Sequence, residues 1–460
     1  MHPMRDACAW QRCALRREVA RSDAYTFFNL LTDDESLDQV EALLPEHRER
    51  LFPPTEVLSM FLAQALSADR SCQKAVNDLA AKRAMAGLSA CSVHTGAYCR
   101  ARQRLSETMV STLVRQSGRA MTARASRWSW QGRPVRLVDG TTLQMPDTPA
   151  NQAAYPQPRT QKPGLGFPIC RLVALICLAS GAILEAATSP YVGKGGSEQA
   201  LLRSMLDSLQ AGDVLLGDAF YATYFLLYEL QRRGVDGVFE QYGARRRSTD
   251  FRRGRHLGPR DHHVEITRPP KPDWMSAVAY AAVPDKLTVR ELRAGGKTLI
   301  TTMLCARQAS KAELRTLYRQ RWHVELDLRN LKSTLGMDIL TCRTPTMARK
   351  EIWIYLLAYN LIRRTMVHAA LQAQVAPRQL SFKHSLQLWL AWRQCAPDTA
   401  VEGHPKLLAL IARKRVGNRP GRIEPRAVKR RPKPLPLLSQ PRQIARRTIR
   451  NGREKQRAIA

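Results

Sequence analysis

The feature that most constrains the fold is an alternation of strand and helix signals between residues 135 and 241. Short apolar, β-branched runs at 135–139, 171–180, 182–188, 213–218 and 235–241 predict strands. Helical periodicity at 197–210 and 222–233 separates the last three of them. This order of strands and helices is typical of an α/β fold with a partly parallel sheet.

A second strong pattern is the stretch from Leu314 to Leu335, which predicts one helix that ends at Gly336. Four polar side chains share a sector roughly 60° wide at the helical repeat: Tyr318, Arg321, Glu325 and Lys332. Beside them runs an apolar stripe that predicts packing on a core: Leu317, Val324, Leu328, Leu331 and Leu335. The helix by itself also fits an ordinary amphipathic helix with charge pairs four residues apart.

Two aspartates complete a candidate site. Asp139 ends the first predicted strand and Asp218 ends the fourth. Sites in open α/β sheets form at the carboxyl ends of strands, so Asp139, Asp218 and Glu325 are candidate ligands for a pair of Mg²⁺ ions. Two such ions can support in-line displacement at phosphorus.

Each acid also has a structural interpretation. Asp139-Gly140 is a common turn dipeptide, Asp218 can cap the helix that follows it, and Glu325 can pair with Arg321. Asp147 and Asp213 are rival acids. They are weaker candidates because Asp147 lies in a loop and Asp213 begins its strand.

The composition indicates an anionic partner. The net charge is +34 and the isoelectric point is near 10.5, which favours nucleic acid over an anionic membrane surface because no long basic amphipathic helix is evident. A short predicted helix at 95–105 carries Arg100, Arg102 and Arg104 and is a candidate DNA reader, the alternative being a helical bundle with solvated arginines.

The cellular location is predicted from cysteines and apolar runs. The ten cysteines show no C-x-x-C pair or zinc spacing, which predicts free thiols in a reducing compartment. The charged N-terminal residues lack an apolar core, so we expect no signal peptide, and the apolar runs are too short for a membrane span. We therefore expect a cytoplasmic protein.

Together these motifs resemble the insertion sequence four family of DDE transposases. The resemblance rests on the Y-x2-R-x3-E-x6-K spacing of the helix, on Asp139 within VDGTTLQMPD and on Asp218 within LLGDAFY. FPPTEVLSMFLAQALSADRSCQ and TGAYCRARQRL resemble the N-terminal domain of one branch. The likeness runs from about Tyr25 to Ile411.

The resemblance implies an α/β fold in which a β-rich insertion interrupts a ribonuclease-H-like catalytic core. The predicted divisions are a basic extension (1–24), a helical DNA-binding domain (25–125), the first part of the core (130–242), the insertion (243–303), the core completion with the glutamate helix and C-terminal helices (304–411) and a basic, disordered tail (412–460).

The resemblance further implies cut-and-paste transposition, in which the enzyme cleaves double-stranded DNA at transposon ends and joins the 3′-OH ends to target DNA. Asp139, Asp218 and Glu325 would bind two Mg²⁺ ions, for which Mn²⁺ can substitute, and Tyr318, Arg321 and Lys332 would hold phosphates. Trp322 is a candidate for base stacking, with core packing as its alternative, and Trp274 is a weaker one. A homodimeric synaptic complex near the nucleoid is expected.

Two other functions stay open at this stage. One is a catalytically inactive or repurposed sequence-specific DNA-binding protein derived from a transposase. The other is a ribonuclease-H-like nuclease or resolvase that recognises DNA structure.

Overall fold

The fold is taken from a computed structural model. The structure describes residues 43, 51–85, 87–193, 196–241, 249–395, 400–417 and 438–459. The predicted basic extension at 1–24 lies outside these residues.

A single large sheet organises the described residues. Its strands are β1 (Val135–Gln144), β2 (Ile169–Cys177), β3 (Ile183–Pro190), β4 (Val214–Gly217), β5 (Asp236–Glu240), β6 (Arg255–Gly258), β7 (Asp261–Thr267), β8 (Lys286–Ala294) and β9 (Lys297–Thr301). They are hydrogen-bonded in the order β3-β2-β1-β4-β5-β9-β8-β7-β6. β4 is parallel to β1 and to β5, whereas β2 is antiparallel to β1 and β3. The predicted insertion therefore extends the main sheet, because β9 pairs antiparallel with β5.

Helices flank the sheet and extend beyond it. They are α1 (Pro54–Leu66), α2 (Cys72–Met85), α3 (Gly96–Arg104), α4 (Glu107–Arg124), α5 (Pro149–Ala154), α6 (Glu198–Ser204), α7 (Tyr224–Arg232), α8 (Ala277–Ala281), α9 (Lys311–Arg319), α10 (His323–Arg329), α11 (Pro345–Gln372), α12 (Phe382–Cys395), α13 (Ala400–Arg413) and α14 (Arg442–Ile459). The mixed α/β class and the predicted order of elements between 135 and 241 are confirmed.

Side-chain alternation along β1 gives the sheet two apolar faces. Leu137 belongs to a hydrophobic cluster that includes α1, α4, α9, α10 and α11, while Val138 belongs to a second cluster with α6 and α7. The long helix α11 packs against both α4 and α1. The N-terminal helices therefore share one continuous core with the C-terminal helices.

Two predicted elements differ from the structure. The predicted β-rich insertion (243–303) also contains a helix, α8, which Ser276 caps by accepting a hydrogen bond from the Ala279 amide. The predicted disordered tail contains α14. Its arginine-rich sequence looked unfavourable for order, but straight-chain residues such as Arg, Lys and Gln are good helix formers.

No helix in the described residues is both long and apolar enough for a membrane span. Seven cysteines within the described ranges are free thiols, which agrees with the prediction for those positions: Cys72, Cys91, Cys99, Cys170, Cys177, Cys305 and Cys342.

Candidate active site

Two parallel strands bring the aspartates to equivalent positions. β1 and β4 pair in register as far as Leu137 and Leu216, so Asp139 and Asp218 each lie two residues beyond that pair. Both leucines belong to the same hydrophobic cluster. Since strand side chains alternate between faces, the aspartates are placed on this same face. Asp218 was predicted to end the fourth strand, and β4 ends at Gly217, directly before it.

Asp139 lies within its strand rather than at the end of it. Gly140 continues the antiparallel ladder opposite Val173 of β2, so the turn interpretation of Asp139-Gly140 is wrong. The sequence misled here because Asp-Gly is rare in strands. β4 pairs with β1 only as far as Leu137, and Asp139 lies just past this point.

The glutamate comes from a helical segment that is less regular than predicted. Between α9 and α10 lies a 3₁₀ turn, Gln320–Trp322, and α10 continues into a π-helical turn, Asn330–Thr334. Arg321 Nη2 is 2.9 Å from Glu325 Oε1, and Arg321 Nη1 is 3.9 Å from Asp139 Oδ2. The guanidinium of Arg321 thus lies between two of the predicted carboxylates. The buried apolar stripe of this segment is confirmed.

The chain after this segment fixes it against β1. Gly336 closes the helix in the left-handed conformation, with φ at 84°. The amide of Gln144 then donates to the carbonyl of Asp338, and the amide of Leu340 donates to the carbonyl of Gln144, each over 2.9 Å. Glu325 and Asp139 are therefore held by two chain segments that are hydrogen-bonded to each other.

The carboxyl of Asp139 is electrostatically strained. Burial is the main reason that the pKa of Asp139 is raised to about 6. The nearby carboxylates of Asp218 and Glu198 also raise this pKa, whereas the amide of Gly140 and the charge of Arg321 lower it. Like-charged groups are held close together here with incomplete compensation. Such perturbed acids are typical of functional sites.

The carboxylates of Asp139, Asp218 and Glu325 are suitable ligands for a divalent cation, but their present positions do not form a metal site. No group of three or more His, Cys, Asp or Glu side chains in the described part of the chain is placed to hold a metal ion. Arg321 is the cation between Asp139 and Glu325. Carboxylate oxygens are nevertheless the ligands that Mg²⁺ prefers, and the raised pKa of Asp139 indicates negative charge that a cation would neutralise.

A basic cavity adjoins the carboxylates. It has a volume of about 230 Å³ and lies between the β8–β9 hairpin and α9. Its lining combines four cationic side chains with two aromatic ones: Lys297, Arg315, Arg319, Arg321, Tyr318 and Trp322. Tyr318 is buried, and its hydroxyl makes no well-formed hydrogen bond to the described residues. Trp322, in contrast, is 51% exposed. Core packing therefore does not account for Trp322.

Lys332 and Trp274 lie apart from this cavity lining. Lys332 is half-buried in the π-helical turn, about two turns beyond Glu325. Trp274 packs against the second hydrophobic cluster, the one that contains Val138. Its ring centre is 5.7 Å from that of Phe225, and the guanidinium of Arg203 lies 3.9 Å from it. Of the two tryptophans, only Trp322 is placed beside the candidate phosphate-holding residues.

The three arginines of α3 have different environments. Arg100 and Arg104 are exposed. Arg102 is buried, donates to Gln64 Oε1 over 2.9 Å and lies 4.4 Å from the centre of the Phe61 ring. The prediction that Arg102 contacts DNA is therefore corrected, because its guanidinium is enclosed by the packed helices.

The rival acids have structural partners. Asp213 is buried and pairs with Arg136 at 3.0 Å. Asp147 accepts hydrogen bonds from Gln152 and from Arg442 of α14. Asp218 caps the 3₁₀ turn Ala219–Tyr221, since its Oδ1 accepts from the Phe220 amide over 2.8 Å, whereas the following helix α7 is capped by Thr223.

One nearby acid was missed by the sequence reasoning. Glu198, the first residue of α6, lies against Gly140, and Tyr221 donates to its Oε2 over 3.3 Å. Burial raises the pKa of Glu198 and Asp218 adds to this rise, whereas Arg171 and the hydroxyl of Tyr221 lower it. Its position right after Ser197 marked it only as a residue of the first helical turn, which is a common place for an acid.

The chain is similar to known transposases. A family model described as a transposase DDE domain matches residues 130–361, half of the chain. The transposase InsG for insertion sequence element IS4 of Escherichia coli (strain K12) is 27% identical over 352 residues, covering 74% of this chain and 77% of that protein.

Two further relatives match shorter segments. The putative transposase InsZ of the same strain is 33% identical over 142 residues, which cover 30% of this chain and 46% of that protein. The putative transposase InsL for insertion sequence element IS186A is 38% identical over 71 residues, covering 15% of this chain and 19% of that protein.

Proposed function

Because this chain belongs to the insertion sequence four family of DDE transposases, we propose that it moves its element by a cut-and-paste reaction. In this proposal it binds the ends of the insertion sequence, cleaves phosphodiester bonds there and joins the 3′-OH ends to target DNA. The proposal is supported above all by Arg321, which lies between Asp139 and Glu325, and by the position of Asp139 and Asp218 just beyond the paired residues of two neighbouring parallel strands.

The sheet order supports a ribonuclease-H-like core. Five strands follow the order β3-β2-β1-β4-β5, and only β2 runs against the others. The four remaining strands and α8 lie between β5 and the glutamate segment, where the family resemblance expects an insertion. On this reading the insertion supplies one wall of the basic cavity.

The three carboxylates would hold two divalent ions, Mg²⁺ or Mn²⁺. When bound, these ions activate the attacking oxygen and stabilise the leaving oxygen. Asp139 and Asp218 offer oxygens from strand positions that the sheet fixes, and Glu325 offers them from a helix. In the present arrangement the guanidinium of Arg321 partly neutralises Asp139 and Glu325.

In this proposal, a DNA phosphate would bind the guanidinium of Arg321, which now lies between Asp139 and Glu325. The planar guanidinium of Arg321 can donate two hydrogen bonds to a phosphate. It pairs with Glu325 and also lines the basic cavity. A phosphodiester in the cavity would draw Arg321 away from Glu325 and free this carboxylate. Tyr318 would donate its hydroxyl to the phosphate, Lys332 would add a positive charge, and Trp322 would stack on a base.

The wider surface would bind DNA through phosphates. Arg100 and Arg104 are exposed on α3, and α14 exposes Arg446, Arg447 and Arg450. Phosphate contacts position a protein on a duplex without reading its sequence. Two copies of the chain would bring the two ends together in a homodimeric synaptic complex.

The decisive experiment compares Asp218→Asn with the wild type on DNA that carries the element's ends, in Mg²⁺. We expect cleavage to fall by roughly a thousandfold while end binding is kept, because the amide removes charge without changing shape. Asp207→Asn, at a side chain that is 95% exposed, is the matched control and should cleave normally.

Other outcomes separate the alternative functions. Equal nicking by Asp218→Asn and the wild type would refute the site assignment. Binding to the ends without strand breakage in either Mg²⁺ or Mn²⁺ would favour the inactive DNA-binding protein. Preferred cleavage of branched DNA would favour the resolvase.

A further inference from the structure

Glu198 connects the two strand positions that carry the aspartates. It begins α6, whose N-terminus is fixed by Ser197, since the hydroxyl of Ser197 accepts a hydrogen bond from the Ala200 amide. α6 packs across β1, β2 and β3 and belongs to the cluster on the face of Val138. Glu198 therefore approaches the strand ends from the face opposite to Glu325.

The first contact of Glu198 is with the residue next to Asp139. A Cβ atom added to Gly140 would lie 2.3 Å from Glu198 Cδ and 2.5 Å from Oε1, which is far inside contact distance. The carboxylate therefore packs directly on the backbone of Gly140. Only glycine leaves room for it without a shift of the strand or of the side chain.

The second contact of Glu198 is with the turn that follows Asp218. The hydroxyl of Tyr221 donates to Glu198 Oε2 over 3.3 Å, and the ring of Tyr221 is fully buried. The neighbouring Gln199 donates from its side-chain amide to the carbonyl of Phe220. Two consecutive residues of α6 thus hold the turn that carries Asp218.

Glu198 also lacks the partner that other enclosed acids have. Asp213, Glu185 and Asp261 each lie within 3.0 Å of an arginine nitrogen. For Glu198, no Lys or Arg nitrogen of the described residues forms an ion pair of this kind. Burial and Asp218 leave the pKa of Glu198 raised, although Arg171 and the hydroxyl of Tyr221 lower it. Its negative charge is therefore only partly compensated beside the two aspartates.

We infer that Glu198 is a positioning residue of the proposed catalytic site. Its carboxylate sets the spacing between the segments of Asp139 and Asp218, and its charge strengthens the binding of divalent cations by these aspartates. This inference rests on the proposed function. Groups that orient metal ligands typically change metal affinity by roughly 10- to 100-fold when they are removed.

The test measures Mn²⁺ binding to the full-length protein without DNA, by the electron paramagnetic resonance signal of free Mn²⁺. Glu198→Ala removes both the bridge and the charge and should weaken binding by roughly 10- to 100-fold. Glu198→Gln keeps an acceptor for Tyr221 but loses the charge, so a smaller loss is expected. Tyr221→Phe keeps the charge and loses the hydrogen bond, and should also weaken binding.

Gly140→Ala provides an independent variant, because it leaves every carboxylate in place and displaces Glu198. It should weaken Mn²⁺ binding in the same direction. Asp207→Asn removes an equal charge just after α6 and should leave binding unchanged. Thermal unfolding of each variant shows whether the fold is kept, and Glu198→Gln with Tyr221→Phe carry the test if Glu198→Ala does not fold.

Cleavage adds a readout that a structural role would not change. In Glu198→Gln, the Mn²⁺ concentration for half-maximal cleavage should rise more than the maximal rate falls. Wild-type Mn²⁺ affinity in folded Glu198→Gln and Tyr221→Phe would overturn the inference, provided that Asp218→Asn loses Mn²⁺. Wild-type affinity in Asp218→Asn would refute the proposed metal site itself.

Discussion

Two carboxylates of α10, only two residues apart, have opposite environments. Asp327 is fully buried, and its oxygens accept from Arg363, Arg378 and the hydroxyl of Tyr359 within 2.9 Å. The Glu325 side chain is 34% exposed, and Arg321 is its only ion-pair partner among the residues that the structure describes. The same helix thus carries Asp327, whose carboxylate is fully hydrogen-bonded, and Glu325, whose carboxylate can accept further ligands.

The difference shows how the molecule separates stability from function. A buried acid needs full compensation, and breaking its pairs is costly because an uncompensated charge remains. An acid that is to bind another cation must instead be only partly compensated. Arg363 and Arg378 are held in place around Asp327, whereas Arg321 borders both solvent and the basic cavity.

Substitution of the two acids should give the largest contrast. Asp327→Asn leaves two arginines without their counter-charge, so we expect a loss of about 3–5 kcal/mol in the free energy of unfolding, measured by urea denaturation. Glu325→Gln should abolish cleavage while stability stays close to that of the wild type. If Asp327→Asn is as stable as the wild type, or if Glu325→Gln unfolds, the assignment of Asp327 to stability and of Glu325 to cleavage is contradicted.

The pH dependence of stability sharpens the comparison for Asp139. Its folded-state pKa of about 6 lies above the ordinary value of 3.8, so the folded protein binds more protons than the unfolded chain between these values. Its contribution therefore favours the folded state at low pH and is lost as the pH rises through 6. At pH 7.5, without metal, Asp139→Asn should be more stable than the wild type by up to about 3 kcal/mol.

Thermal unfolding across pH 4 to 7.5, with a chelator present, measures this effect. The advantage of Asp139→Asn should shrink towards pH 4, because the wild-type carboxyl is then protonated. Asn keeps an acceptor for the Gly140 amide, so the comparison isolates the charge. A constant difference at all pH values would show that the charge of Asp139 is not under strain.

The arginines of α3 repeat the contrast with smaller effects. Arg102→Ala should cost about 2–3 kcal/mol of stability, because it removes buried hydrogen bonds and contact with an aromatic ring. Arg104→Ala should leave stability unchanged and reduce the slope of log affinity for DNA against log salt by about 1. Full stability of Arg102→Ala together with a reduced salt slope would place Arg102 on the DNA surface after all.

Much of the candidate site was predictable because its residues follow periodic patterns. Asp218 directly follows an apolar strand, and the stripe around Leu328 placed Glu325 beside a core. Asp139 was predicted in the same way, from its position at the end of an apolar strand, although β1 in fact continues to Gln144. Local propensity favoured a turn at Asp-Gly, but pairing with β2 carries the strand on to Gln144.

Other positions were missed because long-range contacts decide them. Arg102 and Arg104 are two residues apart on one basic helix, yet only the packing against Phe61 and Gln64 distinguishes them. Glu198 looked like an ordinary acid of a first helical turn. Its position beneath Gly140 depends on how α6 crosses the strands, and no spacing in the sequence encodes that.

By itself, the sequence determined the order of strands and helices, the basic surface and the family, because periodicity, charge and motif spacing are local properties of the chain. The tertiary structure decided which charges are compensated. Arg363 and Arg378, which are 36 and 51 residues further along the chain, pair with Asp327. Arg321 lies between Glu325 of the same helical segment and Asp139 of β1. The electrostatics of an acid depend on distance in space, and only the folded chain fixes that distance.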